Sequence, residues 1–399
     1  MSDTIKRITI EGFKSIRKLE SFELRPLNVL IGANGAGKTN FVEFFRLLRE
    51  LVEQRLQLAV GKLGGADACL YMGPKITRRL VGKLDFGTNG YELALVPTAD
   101  NRLIFDRERA VYHQGGLTGE TYLPGSFEAS LKDHRKDASY SGAKRGVPFY
   151  AYRAVSGWVV YHFHDTSPEA GVRRQGAIND NGYLRSNAEN LAAFLHGLQR
   201  THAANYNRIR DVVRLAAPFF DDFNLRPVVD KPELIQLEWL QKDSDYPFRP
   251  SQLSDGTLRF ICLATALLQP RPPATMLFDE PELGAHPFAL TLLANLFQQA
   301  AKHPSQQVIV STQSAQLVNE FEPEDVIVVE RTQGESVFRR LESAKLSGWL
   351  EDYTLGELWQ KNVFGGGPRN EAMPIMPDDE GNSPAVPEAK GMNTGDERP

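Results

Sequence analysis

Residues 27–39 read "LNVLIGANGAGKT", a continuous apolar run closed by Gly32 to Thr39 in the pattern G-x-x-x-x-G-K-[ST]. The run from Leu27 to Ile31 suits a strand buried on both faces of a sheet. The text after it, "TNFVEFFRLLRELVEQRLQLAV", carries apolar residues at helical spacing. A glycine loop between a buried strand and a helix can wrap phosphates with its backbone N–H groups. Gly32, Asn34, Gly35 and Gly37 are the expected cradle, with Asn40 just beyond it. Lys38 is expected to reach the β- and γ-phosphates and Thr39 to give an oxygen to Mg²⁺. ATP and Mg²⁺ are therefore the expected cofactors.

Three later stretches supply what a phosphate loop needs for turnover. "TMLFDEPELGAHP" (Thr275 to Pro287) is an apolar strand ending in adjacent carboxylates. Asp279 at the strand end is placed to face the Mg²⁺ shell, and Glu280 to polarise a water for attack on the γ-phosphate. Glu282 reads as a residue holding the following loop. "QVIVSTQSAQL" brings Ser311, Thr312 and Gln313 to the same sheet edge. A glutamine there can bond the phosphate or the attacking water but cannot act as a base. "SQLSDGTLRFICLATALL", from Ser251, sets a polar turn against an apolar helix, and such a helix start is a ready anion site.

Together these residues resemble the ABC-type ATPase heads of the SMC, RecF and OLD group. "IEGFKSI" resembles the first strand of that group, "GANGAGKTN" the phosphate loop, and "LSDGT" a variant signature motif. "LFDEPELGAHP" is similar to the Walker B and D-loop segment, and "STQSAQL" to the switch loop. Gln313 stands where these families often carry His, and Asp255 where the usual signature has Gly. Further stretches, "YHFHDTS", "NLAAFL", "YTLGELW" and "NVFGGGP", resemble compact predicted bacterial ATPases of the same group, which extends the likeness over most of residues 1 to 368.

The resemblance implies a P-loop α/β fold, with a β-rich first lobe (1–160), a partly helical insertion (161–250) and an α/β second lobe (251–365). It also implies that a signature motif completes the site of a second head packed head to tail. Ser254 and the Gly256 N–H would then hold a neighbour's γ-phosphate, and Asp255 would serve as a helix cap. The expected assembly is a homodimer sandwiching ATP, acting with a separate effector in DNA repair or anti-phage defence.

Bulk composition is consistent with this and excludes little else. The chain has 399 residues, 41% hydrophobic and 24% charged, with a net charge of −4, which argues against coating nucleic acid by charge alone. DNA contact through a local patch such as Lys132 to Arg145 stays open. Cys69 and Cys262 are too few for a disulfide framework or a zinc site. No apolar run nears the roughly 20 residues that span a bilayer, so a cytoplasmic protein is expected. Heptads do not persist, so no long coiled coil is expected. From about Arg79 to Arg153 the text reads as short strands, and residues 366–399 as a disordered tail.

Several weaker features allow other readings. His162 and His164 in "YHFHDTS" would share a strand face with Asp165 next to them, but no second His/Asp cluster has ligand spacing, so packing is expected rather than metal. Glu330, Asp378 and Asp379 invite comparison with a Toprim nuclease, for which the remaining chain is too short. Lys14 could approach the nucleotide or a DNA backbone, or be a solvated strand-end lysine. A transporter's nucleotide-binding subunit and an ATP-holding scaffold without turnover are the alternative functions.

Overall fold

The computed structural model describes residues 4–113, 118–122, 124–136 and 146–367. The apolar run Leu27–Ile31 becomes a strand with every residue buried. It sits third in a six-stranded sheet ordered Glu335–Arg340, Val326–Thr332, Leu27–Ile31, Gln307–Thr312, Thr275–Asp279, Trp158–Tyr161. The five strands from Val326–Thr332 to Trp158–Tyr161 run parallel, and Glu335–Arg340 is antiparallel to its neighbour. A boundary at residue 160 thus divides the sequence but not the sheet, since the phosphate-loop strand pairs with strands nearly three hundred residues later.

Strand alternation builds a core on each face of this sheet. Leu30, Leu277, Ile309 and Ile327 point into one, Val29, Met276, Phe278, Val308 and Val328 into the other. Helix Lys38–Val52 fills the first with Phe41, Phe44 and Phe45, against a second, antiparallel sheet. That sheet runs Ile16–Glu23, Arg7–Phe13, Leu80–Asp85, Asn89–Pro97, Leu103–Tyr112, Thr118–Tyr122. The second core is covered by helices Leu191–Thr201, Ala203–Ala216, Asp255–Leu268 and Pro287–Ala301.

The structure corrects several expectations. The long helix after the phosphate loop stops at Val52 and restarts as Leu56–Lys62, because Gln54 takes φ +60°. The Glu128 carboxylate then accepts from the Leu56 and Gln57 N–H groups (2.7 and 3.2 Å), capping the new start. Residues Val147–Ser156, read as the end of a strand section, form a helix with Pro148 in its first turn. The insertion between 161 and 250 holds two helices but also short strands in two three-stranded sheets, which the sequence reading missed. The hairpin closing the parallel sheet turns through Gln333 and Gly334, both at positive φ, as a tight two-residue connection requires.

Cys69 and Cys262 are free and buried, and burial pushes their thiols up to about 11 and about 12. Among the described residues no helix is long and apolar enough to cross a membrane. Past Gly367 the expected tail, with Asp378 and Asp379, lies outside the described residues, as do residues 137–145 of the basic run.

One buried carboxylate anchors the antiparallel sheet. Glu108, 1% exposed, accepts the Tyr91 hydroxyl (2.8 Å) and the Ser130 and Leu131 N–H groups (2.9 and 3.2 Å). Glu108→Ala leaves these buried donors without an acceptor, at about 1–3 kcal/mol for each group left unsatisfied. The expected outcome in calorimetry is a melting temperature lowered by several degrees.

Candidate functional site

Because the central strands are parallel, their C-terminal ends lie along one edge, where the phosphate loop, Asp279 with Glu280, and Gln313 are found. The loop after Leu27–Ile31 turns through Gly35 (φ +78°) and Gly37 (φ +115°) into helix Lys38–Val52. Gly37 has no alternative, since a Cβ on it would overlap the Ser336 hydroxyl. Ser336 in turn donates to the Ala36 carbonyl (2.6 Å) and lies 2.6 Å from the Ser15 hydroxyl. The Asn40 amide donates to Ser15 Oγ (2.6 Å), so in this structure Asn40 braces the loop. Asn34, Gly35 and Thr39 are exposed.

Lys38, 4% exposed, donates from Nζ to the Gly32 and Ala33 carbonyls (2.6 and 3.2 Å). Burial lowers the pKa of its ammonium, and the nearby carboxylates of Glu280, Glu282 and Asp279 act in the opposite direction. The loop strand and the carboxylate strand are separated in the sheet only by Gln307–Thr312. Asp279 pairs in register with Ser311 and is 8% exposed, yet its Oδ1 has no hydrogen-bond partner. A buried carboxylate oxygen left open beside a phosphate loop suits a hard cation, so the residues present fit Mg²⁺ held by Thr39 and Asp279 with phosphate oxygens. No group of three or more His, Cys, Asp or Glu residues able to hold a metal occurs among the described residues.

Glu280 adopts φ +43°, a region costly for a residue with a side chain, and its N–H is held by the Ser311 carbonyl (2.8 Å). Its Oε1 accepts the Gln313 amide. The Gln313 backbone N–H donates to Glu282 Oε1 (2.7 Å). Gln313 therefore bridges two carboxylates of the loop that follows the neighbouring strand. Burial raises the Glu282 pKa, against the Gln313 N–H and the Thr312 hydroxyl, which lower it. The Glu282 carboxylate thus meets the Gln313 loop and not the loop that follows it in sequence.

At the signature stretch, Ser254 and not Asp255 caps helix Asp255–Leu268. Ser254 Oγ accepts the Thr257 N–H (3.1 Å), while Asp255 is already in the first turn and pairs with Arg173 (2.6 Å). Arg173, 7% exposed, also donates to the carbonyls of Thr166, Pro250 and Leu253. Gly256 lies so close to the Gly284 carbonyl that any Cβ would overlap it. The buried Arg259 guanidinium binds the carbonyls of Phe163, His164 and Leu283. The signature turn and the loop after Glu280 are thus one packed unit. Among the described residues no hydrogen bond joins residues 254–256 to loop 32–39.

Other expectations resolve as follows. The strand before His162 and His164 ends at Tyr161, so strand alternation does not apply to them. Their rings lie 4.3 Å apart, and His164 Nε2 is 2.7 Å from the Asp279 carbonyl. Lys14 pairs with Glu43, and Glu330 accepts the Gly366 N–H (3.0 Å). Sequence reasoning missed Ser15, Ser336, Arg173, Arg259 and the contact of His164 with the carboxylate strand. Of these, only the polar "HFHD" directly after the apolar "WVVY" offered a signal.

Residues 136–319 match the family "AAA domain, putative AbiEii toxin, Type IV TA system", and residues 4–62 match "AAA ATPase domain". No curated protein matches the chain. Among solved structures, an SMC head bound to the C-winged helix domain of ScpA is similar at 16% identity and TM-score 0.52, over 86% of this chain and 99% of that one. The SMC head domain from Thermotoga maritima is similar at 14% identity and TM-score 0.40, over 85% and 99%. The Pyrococcus furiosus Smc head with an extended coiled coil, bound to the C-terminal domain of ScpA, is similar at 15% identity and TM-score 0.49, over 87% and 98%.

Proposed function

For a chain that carries AAA ATPase sequence on the fold of an SMC ATPase head, we propose hydrolysis of ATP at a site completed by a second copy. The observation that carries this reading is the gathering of Lys38, Asp279, Glu280 and Gln313 at the ends of three adjacent parallel strands. Lys38 and the loop N–H groups neutralise the phosphates, and Thr39 and Asp279 hold Mg²⁺. The cation, when bound, screens charge on the transferring phosphoryl group. Glu280 accepts the proton of the attacking water. Gln313 occupies one oxygen of that carboxylate and so fixes the orientation of the other.

The second copy enters through the signature turn. Ser254 is exposed, and the helix it caps begins with N–H groups that can meet a phosphate. Beside it Leu283 and Phe288 are 39% and 52% exposed, apolar surface of the kind an interface buries. Ser254 and Gly256 would then complete the nucleotide site of the opposing copy, in a two-fold arrangement with two equivalent sites. Closure on ATP and opening after hydrolysis make the pair a switch, acting in the cytoplasm on a separate effector in DNA repair or anti-phage defence. An SMC head of this fold binds the winged helix domain of ScpA, a precedent for output through another chain.

Phosphate release per chain, measured over a dilution series, tests the reading. A shared site predicts specific activity that falls on dilution as copies separate. Activity independent of concentration across the range where light scattering sees only monomers would contradict it.

A further inference from the structure

A cleft of about 630 Å³ opens along the flank of helix Lys38–Val52, away from its phosphate-binding end. Its floor is Val159 and Val160 of the edge strand, and its far wall is the segment from Tyr183 to Glu189. The volume is that of a small-ligand site.

The charge in this cleft is unbalanced. Three carboxylates line it, and each is already paired: Glu43 with Lys14, Glu50 with Arg55, Glu189 with Arg185. Arg46, Arg49 and Lys62 also line it, and among the described residues none of them has a carboxylate partner. Arg46 meets only a ring nitrogen, its Nη2 lying 3.5 Å from His162 Nδ1. Three uncompensated cations in a concave wall concentrate anions. The same cleft presents Tyr183, 65% exposed, and Leu58, 54% exposed. A phosphate-seeking cluster beside an open aromatic face is the chemistry that holds a phosphorylated base.

We propose that this cleft binds a nucleoside phosphate distinct from the ATP of the phosphate loop, with phosphate on Arg46, Arg49 and Lys62 and the base on Tyr183. The source is a free nucleotide or the end of a single strand, which share this chemistry. The cleft is linked to the carboxylate strand. Arg46 touches His162, the His162 ring lies 4.3 Å from His164, and His164 holds the Asp279 carbonyl. An anion that draws Arg46 from His162 changes the packing behind Asp279; this consequence rests on the proposed ATPase reading, whereas binding itself does not.

Binding is measured on the full chain with the phosphate loop saturated by a non-hydrolysable ATP analogue and Mg²⁺. The probes are thymidine 5′-monophosphate and a short fluorescent 5′-phosphorylated oligothymidine. Arg46→Glu combined with Arg49→Glu is expected to weaken binding about tenfold or more. Tyr183→Ala, at an exposed position that leaves the fold intact, is expected to weaken it about fivefold or more. Mononucleotide binding lost in both variants assigns a free nucleotide, and binding of the oligomer alone, lost in both, assigns a strand end. Failure of both probes to bind, or binding unchanged in both variants, would overturn the proposal. So would a hexaglutamate peptide that binds more tightly than either probe and ignores Tyr183→Ala.

Discussion

Glu280→Gln is expected to lower single-turnover phosphate release by about 10²–10⁴-fold, the range for removing a general base. ATP affinity is expected to change little. The amide has the shape of the carboxylate, its oxygen still accepts the Gln313 amide, and the Ser311 carbonyl still fixes the backbone at φ +43°. What disappears is the proton acceptor. Glu282 is not expected to replace it, because its Oε1 accepts the Gln313 N–H and its Oε2 is buried away from solvent. The pattern of kept binding and lost chemistry separates a base from a binding residue. A variant that turns over within about threefold of the wild type would remove Glu280 from the chemistry.

Lys38→Ala has the largest expected effect on binding. A hydrogen bond to a charged group is worth about 1.5–3 kcal/mol, so its loss alone weakens ATP-Mg²⁺ binding by about 10- to 150-fold. The true loss is expected to be larger. Asp279, Glu280 and Glu282 all act on the Lys38 ammonium, and without it the phosphates approach three carboxylates with no cation from the protein between them. Titration calorimetry reads the affinity, and a melt of the same sample shows whether the variant is folded. Affinity within threefold of wild type in a folded variant would contradict the role of Lys38.

The elements legible in the sequence were those whose signal is local. The buried run 27–31, the glycine loop, and the strands ending at Asp279 and Thr312 are set by residues within a few positions of one another. What escaped depends on partners far along the chain. Nothing near Ser15 announces that it meets Ser336, 321 residues away, to brace the phosphate loop. Arg173 and Arg259 read as ordinary basic residues until the fold surrounds them with carbonyls. The break after Val52 was hidden by a helical pattern that continues through it, because the cap that restarts the helix comes from Glu128. The small sheets of the insertion are built from strands of two to five residues, too short for alternation to be read. The cap role expected of Asp255 falls to Ser254, whose hydroxyl accepts the Thr257 N–H.

The central claim, one nucleotide site built from two copies, is tested most directly by mixing two inactive variants. Ser254→Arg keeps an intact phosphate loop and loses the signature contact; Lys38→Ala keeps the signature and loses the loop. Each alone is expected to be inactive. In an equimolar mixture half the dimers are mixed, and each mixed dimer holds one complete site out of two, so about a quarter of the wild-type rate should return. Two variants that stay inactive when mixed, or a Ser254→Arg protein fully active by itself, would contradict the shared site.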